Sequence, residues 1–208
     1  MTYRDIFSGS PLACAYKTLE DCSVKEKEQL VIERALCKIS FPYWLRYVKI
    51  VTTPIPGQTG SSIRQFDLLP HLEQFVSSLL SDSLITVLKS RQIRISTTLA
   101  AYVLWFAMNN EGANNLLFSK GQPEAKELLS KAHRIYGQLP GFLKHKIDPD
   151  STEELGFPSM KSSIKAFPST SSAGISYTAS IVVCDEHQEH PYAEENYISG
   201  KPTRDAGG

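Results

Sequence analysis

The chain has 208 residues, 41% of them hydrophobic, which is enough apolar material for one well-cored α/β domain and excludes a disordered tail. Lysine and arginine total 22 against 22 aspartate and glutamate, so no global field argues for nucleic acid or for a basic partner, and any charge argument must be local. Cys14, Cys22, Cys37 and Cys184 show no Cys-x-x-Cys spacing, the first ten residues form no leader, and the longest apolar run, Leu99 to Met108, is about half the roughly 20 residues a membrane span needs. A soluble, cytoplasmic chain with reduced thiols is expected.

Residues 1–22 read as irregular. Ser23 followed three places later by Glu26 is a capping box, and it opens a helix over "VKEKEQLVIERALCKIS" whose polar side reads as a solvated face. "FPYWLRYVKIVTTPIPGQTGSS" reads as a short strand or packed lead-in followed by a loop. The loop, Thr53 to Ser62, is the expected join between a lead-in segment of residues 1–52 and a core of residues 53–208. Leu72, Phe75, Val76, Leu79 and Leu80 then have the spacing of one helix face.

"LITVL", residues 84–88, is a continuous apolar run of the kind a strand buried on both faces requires, and "STTLAAYVLWFAMNN" is apolar nearly all round, as a buried helix is. "NNLLFS" predicts a second buried strand, and "GQPEAKELLSKAHRIYGQLP" a helix bounded by Pro123 and Gly137. Phe142 to Pro158 is weakly patterned; "SSIKAFPST" and "ASIVVCDEHQEHPYAEENY" supply two further strands and a short helix. Strand, helix, strand, helix implies an α/β fold with a mostly parallel central sheet.

Chemistry concentrates at two places. From Ser83 to Asn110 there is no acidic residue, while Lys89, Arg91 and Arg94 make a local charge of +3. Ser96 and Thr97 stand where loop becomes helix and offer hydroxyls as an N-cap or as Mg²⁺ ligands. A strand, a helix N-terminus and positive charge are the parts of a phosphate loop, although the glycines that wrap phosphate tightly are missing and Ile95 stands where the usual lysine would. An ordinary βα turn with solvated basic residues is the alternative. The second place is "SIVVCDEHQEH", a strand that delivers Asp185 and Glu186 to the C-terminal edge of a parallel sheet. There the first can hold Mg²⁺ and the second can orient or deprotonate water; alone, such a run more often marks a strand meeting solvent.

Together these residues resemble the ATPase domain of the large terminase subunit of tailed bacteriophages, the motor that packages viral double-stranded DNA into the procapsid. "LKSRQIRISTTLAAYVLWFA" is similar to that family's deviant Walker A, "IKAFPSTSSAGISYTASIVVCDEHQEHPYAEE" to the segment leading into its Walker B, and "FPYWLRYVKIVTTPIPG" with "FDLLPHLEQF" to its lead-in, over roughly residues 40–200. The resemblance implies a P-loop NTPase of the additional-strand, RecA-like type, a three-layer sandwich incomplete at its C-terminus. It implies Mg²⁺-dependent ATP hydrolysis with Lys89, Ser90, Arg91, Gln92, Ile93, Arg94, Ile95, Ser96 and Thr97 around the phosphates.

Within that loop the resemblance makes Lys89 the phosphate lysine, Arg91 the γ-phosphate arginine and Ser96 the Mg²⁺-side hydroxyl, with Asp185 on the metal and Glu186 as catalytic carboxylate. Arg94 stands where most relatives keep glycine. Gln74 lies close to the position of the adenine-reading glutamine, which Leu72 itself occupies. The implied partners are the portal protein, the small terminase subunit and sibling subunits in a ring, in the host cytoplasm and away from any membrane. Because the sequence stops at Gly208, before the family's coupling motif and nuclease domain, a truncated product without nuclease activity is expected.

Other residues have plainer readings. His187 and His190 fit a polar turn better than a metal site, Tyr43, Trp44 and Arg46 fit core better than a DNA-stacking platform, and Cys184 reads as a small buried filler. Lys126, Lys131 and Arg134, interleaved with Glu124 and Glu127, read as solvated surface.

Overall fold

The computed structural model describes residues 11–52, 62–90, 93–170 and 178–194. The chain divides into two compact units, one of Met1–Thr98 with Arg134–Lys144 and one of Leu99–His133 with His145–Gly208.

In the first unit α1, Val24–Ile39, begins at the expected capping box. The Ser23 hydroxyl accepts from the Glu26 N–H at 3.3 Å and the Glu26 carboxylate accepts from the Ser23 N–H at 2.8 Å, which satisfies two otherwise unpaired donors and is worth about 1 kcal/mol. Lys17 adds an ion pair at 2.7 Å; its hydrogen bond, with those from Ser23 behind it, holds the Glu26 carboxyl down at about 2. The helix turns Leu30, Glu33 and Cys37 inward. Glu33 is a buried carboxylate, and it accepts hydrogen bonds from the phenols of Tyr43 and Tyr47, each at 2.8 Å. Burial, and after it the bond to Glu33, raises the pKa of both phenols.

Ser40 caps the single turn α2, Phe41–Trp44, which carries Pro42 where its missing N–H is harmless. Trp44 is buried and stacks on Phe41 with centroids 6.1 Å apart, so it is core, as expected; Arg46 lies over the Tyr43 ring at 4.4 Å. β1, Lys49–Thr52, pairs antiparallel with β2, Ser62–Gln65. α3, Pro70–Ser81, buries Leu72, Phe75 and Val76, and with Phe66 and Tyr47 these form the unit's apolar interior.

The strand expected over residues 84–88 is not formed. Leu84 to Leu88 belong to no sheet, and Leu84 and Leu88 are 60% and 98% exposed. An apolar run becomes a strand only where a neighbour pairs its N–H and C=O groups, and this segment is paired with none of the described strands.

α4, Ile95–Asn109, begins in the first unit and continues into the second, where Ala100, Ala101, Val103, Leu104, Ala107 and Met108 are buried. Among its described residues the second unit is built on four strands: β3, Asn114–Ser119; β4, Glu154–Phe157; β5, Ser162–Pro168; and β6, Ile181–Cys184. Their order is β4-β5-β3-β6. β3 runs parallel to both its neighbours, with Asn115 opposite Ile164 on β5 and Ile181 on β6, and β4 is antiparallel to β5. The chain is thus mixed α/β with a mostly parallel sheet. The expected helix after β3 is present as α5, Gln122–Gln138, and its charged residues pair at the surface, Lys126 with Glu153 at 2.9 Å and Lys131 with Glu127 at 3.7 Å.

β4 lies in the stretch that sequence patterning leaves blank. Gly156 on it passes so close to the chain that a Cβ would sit 2.5 Å from the Asp148 carbonyl oxygen, an approach only glycine permits. β6 also departs from expectation: it is an edge strand among the described residues, with Val183 buried but Val182 and Cys184 exposed. Cys184 is therefore not a buried filler: with Val182 it lies on the exposed face of β6, opposite the face that buries Val183. Among the described residues, no helix is long and apolar enough to cross a membrane.

Candidate functional site

The basic loop belongs to the first unit. Lys89 and Ser90 are exposed and outside any helix or strand, and Arg91 and Gln92 lie outside the described residues. Ile93 turns its carbonyl to the ring of His71, on the first turn of α3, whose Nε2 donates to it at 3.1 Å. Arg94 is left-handed, with φ of 66°, a conformation that costs a side-chain-bearing residue about 1–2 kcal/mol. The Arg94 guanidinium lies 3.6 Å from the mostly exposed Asp67 carboxylate.

α4 starts immediately after this kink. Its first internal bond runs from the Thr98 N–H to the Arg94 carbonyl at 2.9 Å, and the Thr98 hydroxyl donates to the same oxygen at 3.0 Å. The N–H groups of Ile95, Ser96 and Thr97 therefore precede the helical ladder, at the positive end of the helix dipole, with no acidic residue in the first turn. Ile95 is buried and Ser96 half-buried. Lys89 reaches back across the loop, its Nζ donating to Ser96 Oγ at 3.2 Å. Two residues expected to meet phosphate are thus brought together, seven positions apart in sequence. Gln74, the glutamine nearest the expected adenine-reading position, is exposed on α3, and Leu72, which occupies that position, is fully buried.

The two carboxylates belong to the second unit. The Asp185 N–H donates to the Phe118 carbonyl at 3.0 Å, continuing the β6 ladder by one residue, so Asp185 and Glu186 leave the sheet at the C-terminal end of its parallel strands. Glu186 is left-handed, with φ of 54° and ψ of 41°, and opens a 3-10 turn over His187–Glu189, the polar turn expected there. His190 is buried beneath that turn; its Nε2 donates to the Asp185 carbonyl at 2.9 Å, and its Nδ1 has no partner among the described residues. The His187 ring stands 5.1 Å from it, and burial, then the neighbouring His190, lowers the His187 pKa. Lys120, just past β3, pairs with Glu189 at 2.6 Å. That bond raises the Lys120 pKa, with a smaller contribution from Glu186. Among the described residues no three His, Cys, Asp or Glu side chains are grouped to hold a metal ion.

Sequence reasoning missed His71 and Lys120. His71 and Lys120 meet partners 22 and 69 positions away, and only the fold supplies such pairs. No protein-family model matches the chain, and no curated protein matches it significantly.

Proposed function

We propose that the chain is the ATPase part of a DNA-packaging motor of the large terminase kind, with Lys89 to Thr97 as phosphate loop and Asp185 and Glu186 as metal-side and water-orienting carboxylates. The observation that carries this reading is the closure of Lys89 on Ser96 around the left-handed Arg94, at the N-terminus of α4. An ammonium, two hydroxyls and three helix-terminal N–H groups, with no acidic side chain in the first helical turn, suit the phosphates of ATP. The Ser96 hydroxyl in the first unit and the Asp185 carboxylate in the second are each a hard oxygen donor of the type Mg²⁺ takes. When bound, Mg²⁺ would neutralise charge on the phosphate oxygens. Glu186 makes no hydrogen bond or ion pair through its carboxylate among the described residues, which leaves it available to accept a proton from water. Double-stranded DNA, portal protein, small subunit and sibling subunits are the partners that go with this proposal.

Steady-state ATP hydrolysis with Mg²⁺ tests it. Glu186→Gln is expected to lower kcat by about 10²–10⁴-fold while nucleotide binding persists; unchanged turnover would contradict the assignment. Stimulation of turnover by DNA separates a motor or helicase from other nucleotide enzymes. A second reading, a catalytically silent assembly module, is favoured by one observation: Leu84 to Leu88, expected to aim the loop, form no strand. Nucleotide binding without any turnover would select it.

A further inference from the structure

The turn after β6 is held more firmly than a strand end meeting solvent requires. Glu186 is left-handed, with φ of 54° and ψ of 41°, a conformation that costs a residue with a Cβ a factor of roughly 5–30 in its own equilibrium. A side chain keeps that backbone only where its surroundings impose it, and such positions concentrate at functional sites. Glycine would adopt it freely; the chain places a carboxylate there instead.

Two side chains of the same unit impose it. Beneath the turn, the buried His190 donates from Nε2 to the Asp185 carbonyl at 2.9 Å, and its Nδ1 is buried with no partner among the described residues. An apolar residue would fill the same space without an unpaired polar atom, so packing alone does not account for an imidazole there, whereas the bond to Asp185 does. Beside the turn, the register that sets Phe118 opposite Cys184 puts Lys120, two residues on, at the same edge of the sheet as Glu186. Its ammonium pairs with the Glu189 carboxylate at 2.6 Å, and the Glu189 N–H donates to the Glu186 carbonyl at 2.8 Å. Lys120 thereby fixes the residue that closes the turn on Glu186, and the Glu186 carboxylate itself stays unpaired among the described residues.

We propose that Lys120 and His190 are positioning residues for Glu186, holding the Asp185–His190 turn from beside and beneath in the strained form that presents this carboxylate, unpaired, at the end of β6. That the carboxylate acts on water rests on the ATPase reading; that the turn is strained and doubly held does not.

Two measurements on the full chain test the proposal. In urea unfolding, Glu186→Val is expected to lower the folding equilibrium constant roughly 5–30-fold relative to Glu186→Gly, because glycine alone is at ease left-handed. With Lys120→Met and His190→Leu added the turn relaxes, and that ratio is expected to fall below about threefold. Should the combined background fail to fold, Lys120→Met alone serves, with the ratio expected to fall at least about twofold. An equal ratio with and without the supports overturns the proposal, whether or not the chain hydrolyses ATP. In steady-state hydrolysis, Lys120→Met and His190→Leu are each expected to lower kcat about 10–100-fold with the KM for MgATP within about threefold, the mark of a misplaced group rather than of lost binding. Lys120→Arg keeps the ion pair and His190→Gln keeps an N–H donor for the Asp185 carbonyl, so both should stay within about threefold of the parent kcat. Loss of turnover in Glu186→Gln with unchanged kcat in Lys120→Met and His190→Leu overturns the proposal. Unchanged turnover in Glu186→Gln overturns the ATPase reading instead, and the urea comparison then decides whether the turn is held as described.

Discussion

Arg94 offers the sharpest structural test of the loop, because its backbone and its side chain pull in opposite directions. With φ of 66°, a non-glycine residue there carries about 1–2 kcal/mol of steric cost. Arg94→Gly removes that cost but adds about 0.5–1 kcal/mol of chain entropy and loses the contact with Asp67 at 3.6 Å. Such a partly exposed pair is worth about 0.2–1 kcal/mol. The terms nearly cancel, so Arg94→Gly is expected to change the unfolding free energy by less than about 1 kcal/mol. Arg94→Val loses the same ion pair and adds β-branched crowding in the left-handed region, so it should be less stable than the glycine variant by about 1–3 kcal/mol. Urea unfolding followed by tryptophan fluorescence measures both. Equal stability of the two variants would refute a left-handed kink at this residue.

The buried Glu33 supports two phenols at 2.8 Å each, and Glu33→Ala is expected to cost about 3–5 kcal/mol, with Glu33→Gln recovering part of it, in the same urea titration. Tyr43 and Tyr47 have raised pKa values in the folded chain. Below pH about 10 folded and unfolded chains alike keep both phenolic protons; above it the unfolded chain releases protons that the folded chain retains, so stability should fall as pH rises further. Cys37, whose thiol burial also raises, adds a decline that starts near its ordinary range. In a Tyr43→Phe, Tyr47→Phe double variant the urea midpoint should fall less between pH 9 and 11 than in the parent, and an equal fall would count against burial of the phenols.

How far the sequence reveals this molecule depends on whether a feature is local. The Ser23–Glu26 box lies within one helical turn, and it is observed as read. β3 could be read from Leu116, Leu117 and Phe118, the apolar centre that a central, nearly continuously buried strand requires. Leu84 to Leu88 have the same kind of composition and no strand partner, so apolarity alone could not distinguish the two cases. β4 could not be read, since four residues with a glycine in the middle carry neither alternation nor β-branched density. At the candidate site, residue types marked Lys89, Ser96, Asp185 and Glu186, whereas the left-handed Arg94 showed only as a departure from glycine. Glu33 had a usable signal: it lies three positions after Leu30 and four before Cys37, on the buried face, where a carboxylate must find donors.

Calorimetric titration of the unmutated chain with MgATP tests the central claim most directly, with Lys89→Ala as its control. Saturable binding is predicted for the parent, weakened about tenfold or more once the ammonium that closes on Ser96 is removed. Absence of binding in the parent, or equal binding in Lys89→Ala, would contradict a phosphate loop at Lys89 to Thr97.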